Sequence, residues 1–144
     1  MAAITAATGA VDALSKRGDA LTGVAGATIK QGWWVAVNTA TGKIIPAGGA
    51  TAQVVLGVAV HDADTDEELK ISTEVYAVMV DSAITPSLKD YGKPVYLQNQ
   101  NSASLTAGSG LQYAGICLGE APSAYDGTPR IWVDPRQRMT PAMS

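Results

Sequence analysis

The side chains that could do chemistry in this sequence are few. There is one histidine, His61, and one cysteine, Cys117. A nucleophilic site would need His61 beside a serine or Cys117, with an acid to orient the ring. His61 instead follows the apolar run 54–60 and opens an acidic segment, the position of a surface residue at a strand end. Asp62, Asp64 and Asp66 have the spacing that starts a calcium loop. Such a loop needs glycine at its sixth position and glutamate at its twelfth, where this chain has Glu67 and Thr73. With Glu67 and Glu68 the segment reads as a solvated acidic turn. Ala47-Gly48-Gly49-Ala50 and Ala107-Gly108-Ser109-Gly110 lack the Gly-Lys-Ser/Thr ending of a phosphate loop. No Cys/His grouping suggests zinc. The expectation is a protein that is not an enzyme and uses no cofactor or metal.

Composition narrows the class further. Net charge is −3 with a pI near 4.9, so the chain lacks the basic surplus that neutralises nucleic-acid phosphates. A single cysteine rules out an intrachain disulfide. No apolar run approaches the ~20 residues of a membrane span. Met1-Ala2-Ala3-Ile4-Thr5 carries no secretory pattern, which points to a cytoplasm or something assembled there. Hydrophobic residues make up 47% of the chain, yet there is no Phe, against three Trp and five Tyr. A thin core of Val, Ala, Ile and Leu suits packed sheets.

The elements that must position these groups read as strands. Residues 1–28, rich in Ala, Thr and Gly, read as an N-terminal arm or a plain tail. From Ile29 onward period-2 alternation and turn residues dominate. Val35 and Val37 share a face, Thr39-Ala40-Thr41-Gly42 is a turn, and Val54, Leu56, Val58 and Val60 share another face. Residues 71–80 form the longest strand candidate. Thr85-Pro86 is expected to start a single helical turn that ends near Gly92. Strand signals resume at 95–97, 111–118 and 130–133. Residues 135–144 read as a C-terminal arm.

The chain also repeats itself. Gly32-Trp33-Trp34-Val35-Ala36-Val37 corresponds to Gly92-Lys93-Pro94-Val95-Tyr96-Leu97 at an offset of 60. Ile45, Ala47 and Gly48 correspond to Leu105, Ala107 and Gly108. After a loss of two residues, Gly57-Val58-Ala59-Val60 matches Gly115-Ile116-Cys117-Leu118, and the offset returns to 60 at Ile71 and Ile131. The fold expected is therefore all-β: a small β-barrel or β-sandwich spanning 29–134, built from two similar β-meander units (29–80 and 90–134), with extended arms at both ends.

At these residues the sequence resembles a known family. Gly32-Trp33-Trp34-Val35-Ala36-Val37, then Thr41-Gly42-Lys43-Ile44-Ile45-Pro46-Ala47, then Val54-Val55-Leu56-Gly57-Val58-Ala59 is similar to the β-module of capsid decoration (cement) proteins of tailed phages. The resemblance covers 29–80, and 90–134 through the repeat. It implies a small all-β virion protein on the capsid exterior, assembled in the host cytoplasm. Its partners would be the major capsid protein and copies of itself, a trimer being favoured, with no nucleic acid or membrane. It carries over no catalytic residues.

What then matters is contact surface. Trp33 and Trp34 face opposite sides of a strand. Trp33 joins Val35 and Val37 in the core, and Trp34 points outward, either as an interface residue or beneath the N-terminal arm or second sheet. Trp132 points outward between Ile131 and Val133, with the same two readings. Lys16, Arg17, Arg136 and Arg138, with Arg130, concentrate basic charge toward the termini, for capsid contact or for ordinary solubility. A tail, baseplate or head-fibre component, or a carbohydrate-binding module stacking sugars on Trp34 or Trp132, are the alternative readings.

Overall fold

The computed structural model describes residues 20–80, 85–122 and 127–136. The fold is all-β, as expected, with no α-helix among the described residues. Ten strands form two five-stranded sheets. The first unit contains β1 (Ala20–Val24), β2 (Trp34–Asn38), β3 (Ile44–Pro46), β4 (Gln53–Ala59) and β5 (Glu68–Ser72). The second contains β6 (Tyr76–Val80), β7 (Pro94–Asn99), β8 (Ser102–Ser104), β9 (Gln112–Ala121) and β10 (Arg130–Asp134).

The two units share one topology, and it is not the expected meander. The fourth strand of each returns to the far side of the second strand instead of pairing with the third. The first sheet runs β1-β5-β4-β2-β3. The second runs β6-β10-β9-β7-β8 and closes into a barrel where β8 pairs in parallel with β6. In the first unit the matching closure is a single parallel bridge, Ala25 to Ile44, beside the Gly26 N–H donating to the Ile44 carbonyl at 2.7 Å. Closure removes the exposed edges that an open five-stranded sheet would present.

Register matches residue by residue. Trp34 pairs with Val58 and Val35 with Gly57, as Pro94 pairs with Ile116 and Val95 with Gly115. Each unit then shifts register at the same place, leaving Leu56 and Ala114 as the extra residues of a β-bulge. The Gly32 N–H donates to the Ala59 carbonyl at 2.9 Å, and the Gly92 N–H to the Cys117 carbonyl at 2.8 Å. Both glycines have φ of +88°, a turn conformation that side chains with a Cβ rarely adopt.

The structure corrects several details of the sequence reading. The N-terminal arm was expected to reach residue 28, but β1 pairs along its whole length with β5, and Ala25 is fully buried. Only its first 19 residues lie outside the described part. The 71–80 strand is two strands: β5 ends at Ser72, and β6 belongs to the other unit. Ile45 corresponds to Ser104 and not Leu105, because Ala36 pairs with Ile45 and Tyr96 with Ser104. Ile71 corresponds to Val133 and not Ile131, because they pair with the equivalent residues Ala59 and Cys117. The turn near Thr85 is a 3-10 turn at Leu88–Asp90 capped by Ser87, two residues later than the Thr-Pro signal.

The bulge explains why strict alternation fails in β4. Beyond Leu56 the facing shifts by one residue, so Val55 and Val58 share one side while Leu56 and Ala59 share the other. Val54 and Val60, which alternation groups on one face with Leu56 and Val58, are exposed.

Two cores result. One fills the first unit with Ala25, Ile29, Val35, Ile44, Ala59, Ala63, Leu69 and Ile71. The other fills the second barrel with Val78, Val80, Val95, Leu97, Ala103, Cys117, Ile131 and Val133. It continues onto the outer side of the first unit through Trp34, Ala36, Ala47, Val55 and Val58. The units are further joined by backbone contact. Gly48 sits so close to Asn99 that a Cβ would lie 2.6 Å from the Asn99 Cα. The Gln112 amide donates to the carbonyls of Gly49 (2.7 Å) and Thr51 (3.2 Å), and the Trp34 N–H to that of Gln100 (3.1 Å).

The repeated bulge makes a paired prediction. A Cβ on Gly57 would collide with the Ser72 carbonyl, and one on Gly115 with the equivalent Asp134 carbonyl. Gly57→Ala and Gly115→Ala should each lower stability by about 3 kcal/mol through overpacking, measured by urea unfolding. Equal stability to the parent in either variant would show that the close approach is absent.

Candidate interaction surface

The groups singled out for chemistry are engaged in holding the fold. His61 joins the end of β4 to β5. The Lys70 N–H donates to Nε2 at 3.1 Å, and Nδ1 lies 2.8 Å from the Asp62 carbonyl oxygen. Both nitrogens are therefore taken by backbone, and neither is placed to act on a serine or on Cys117.

The acidic segment is a clasp on the first unit. Asp62 accepts the Gln31 N–H at 2.8 Å, with Lys30 3.9 Å away. Glu67 Oε1 accepts the Asp64 N–H, and Asp66, at φ +71°, pairs with Lys43 at 2.7 Å. Backbone bonds run from Ala25 N–H to the Glu67 carbonyl and from Asp66 N–H to the Ala25 carbonyl. No group of three or more metal-ligating side chains is assembled among the described residues.

In the second unit one carboxylate is deeply placed. Asp90 accepts from Lys93 Nζ at 2.8 Å and from the Ser87 N–H at 3.1 Å, closing the cap of the 3-10 turn. The Lys93 hydrogen bond, then the Ser87 N–H, holds its carboxyl below the usual carboxylate range. Cys117 is fully buried, and that burial pushes its thiol up, which removes it from the nucleophile candidates.

Of the two readings of Trp34, the structure has cover by the second sheet. Trp34 is 2% exposed and does not point to solvent. The strand β2 is covered on both sides, by its own unit's core and by the second barrel, so its outward face is an inter-unit face. Trp33 is half-buried against the first core with Val35 and Val37, on the face expected for it. Trp132, at 37% exposure, does point outward between buried Ile131 and Val133. Its cross-strand partner on β6 is the small Ala77. Arg136 is exposed and donates to the buried Asp134 carboxylate. Lys16, Arg17 and Arg138 lie outside the described residues, so the terminal basic charge comes down to Arg130 and Arg136 within them.

Two exposed apolar residues escaped the sequence reading. Leu88 and Tyr91 stand on the turn before β7, at 79% and 61% exposure. Their signal was available: a single turn of three residues is too short to bury two large side chains three apart. Small clefts of about 270 and 160 Å³ lie between the units, around Val60, Tyr76 and Ala77 and around Trp34, Gln100 and Arg130. Neither brings together a set of acid and base groups.

Two predictions follow from these placements. Trp34→Ala should cost about 3–5 kcal/mol as a core truncation, whereas Trp132→Ala should change stability by less than about 1 kcal/mol, both read from urea melts. The order reversed would return Trp34 to the surface. The Asp90 carboxylate gives up its proton more readily in the folded than in the unfolded chain. Its stabilisation is thus full above the ordinary value of 3.8 and is lost as pH falls through the lowered folded value. Asp90→Asn should melt earlier than the parent at pH 7 and together with it in strong acid. A gap that does not narrow on acidification would remove Asp90 as its cause.

No family model and no curated protein sequence matches this chain.

Proposed function

We propose that this chain is a decoration protein of a tailed-phage capsid, bound to the outer surface of the shell and bridging neighbouring major capsid subunits. The observation that carries the reading is the segment 32–59 that bears the family resemblance. It forms a three-stranded unit with β2 in the middle, flanked by β3 and β4, and the same arrangement recurs with β7 between β8 and β9. A duplicated rigid module offers two contact surfaces on one chain, and linked weak contacts add up to firm attachment. His61, the acidic turn and Cys117 serve the fold, in keeping with a structural task. Trp132, Leu88 and Tyr91 are the exposed apolar residues that such contacts would cover.

The exposed Trp132 also favours a second reading, a glycan-binding β-module in which the indole stacks on a sugar ring. Co-sedimentation of the purified protein with decoration-free capsids separates the two. Decoration gives saturable binding at a fixed ratio to the major capsid protein, weakened at least tenfold by Trp132→Ala combined with Leu88→Ala. A folded protein that never sediments with shells, but whose tryptophan emission shifts on adding oligosaccharides, would replace decoration with glycan binding.

A further inference from the structure

The smaller cleft between the units, about 160 Å³, holds an arginine and no acid among the described residues. Its lining includes Gln100 and Asn101 from the β7–β8 turn, Ala77 and Met79 from β6, and Arg130 from β10. Arg130 is half-buried. Its cross-strand neighbours are Met79 and the buried Ala121, so its aliphatic stem lies on apolar ground. Its Nε is shut off from water and finds no hydrogen-bond partner among the described residues. The ion pairs among those residues are made by Lys30, Lys43, Lys93 and Arg136, and none includes Arg130.

A guanidinium carries five donors in a rigid fork and no acceptor, so the group that satisfies it is an oxyanion, a carboxylate above all. The cleft adds neutral polar groups beside that charge. The backbone of Gln100 accepts the Trp34 N–H and the backbone of Asn101 donates to Asn99. Their side-chain amides are left to offer both donors and acceptors, which is what hydroxyl groups need.

The same face of β10 also carries an aromatic platform. Trp132 stands two residues along from Arg130, about 6.6 Å on an extended strand. It is 37% exposed, and its cross-strand partner Ala77 is itself part of the cleft lining. A charged fork, two amides and an indole thus border one small polar space. A bare carboxylate would use the arginine alone, and a neutral sugar would leave the arginine unpaired.

We infer that the cleft is a site for a sugar acid: the carboxylate of a hexuronate pairs with Arg130, its pyranose ring lies against the Trp132 indole, and its hydroxyls reach the amides of Gln100 and Asn101. The inference rests on the glycan reading and names its ligand class, an anionic saccharide.

Titrating the full chain with glucuronate, glucose and acetate at neutral pH tests it, followed by tryptophan emission and by the arginine Nε–H signals in a nitrogen-15 spectrum. Glucuronate should bind saturably, changing the emission and shifting the one Nε–H signal that is missing from Arg130→Lys. Glucose and acetate should each bind at least tenfold more weakly. Arg130→Lys keeps the charge and loses the fork, and should weaken glucuronate at least tenfold while leaving the melting temperature unchanged. Asn101→Ala, on the exposed turn, should weaken it severalfold and serves as a second variant. Glucose as tight as glucuronate overturns the acid and leaves the glycan reading standing. Acetate as tight as glucuronate overturns the sugar. No response to glucuronate overturns the inference outright, and neutral oligosaccharides that still shift the emission would then keep the glycan reading.

Discussion

The close passage of a glycine against a carbonyl of the neighbouring strand is the constraint on which both units depend. Gly57 in β4 and Gly115 in β9 each lie where any Cβ would strike the backbone of the strand that follows. Immediately before each glycine one residue is extra, and the side-chain alternation of a long strand slips by one. Such a bulge bends and twists the strand. In this fold the bend lets a strand of seven or ten residues wrap a small core and serve both faces. Without it β4 would present Val54, Leu56, Val58 and Val60 to one side. With it, Val55 and Val58 are free to meet the second barrel while Leu56 and Ala59 fill the first.

The inter-unit packing rests on that shift. Trp34, Ala36, Val55 and Val58 lie on the outer face of one sheet, yet they belong to the core of the other unit. Two small five-stranded units, each poor in large side chains, gain a shared apolar layer anchored by one indole. The polar groups complete the arrangement. His61, Asp62, Asp66 and Glu67 close the end of the first unit through backbone and lysine contacts, and Asp90 with Lys93 does the equivalent work ahead of β7. These side chains are committed to holding backbone in place.

The two units match in topology and differ in surroundings. Equivalent positions carry Trp34 and Pro94, Leu56 and Ala114, and Lys30 and Asp90. Each difference follows the environment. Trp34 is covered by a neighbouring unit, whereas Pro94, half-buried, has no N–H to match the one Trp34 gives to Gln100. A duplicated fold thus becomes directional, with one unit receiving and the other inserting.

The sequence by itself determined the all-β class, the duplication and the sharp bends at the repeated glycines. Period-2 patterning and glycines at 32, 57, 92 and 115 are local signals, set by how a pleated chain alternates and where it bends sharply. It also determined that Trp132 faces out, because Ile131 and Val133 flank it on a strand with one wet side. Which sheet each strand joins was decided only in three dimensions: the break at residues 73–75 hands Tyr76–Val80 to the second unit although the apolar run continues through it. The fate of Trp34 was likewise a tertiary matter. Alternation tells which residues share a face, and it is silent on whether that face meets water or another barrel. The slip at Leu56 and Ala114 depends on hydrogen-bond register across strands, and no periodicity within one strand reports it.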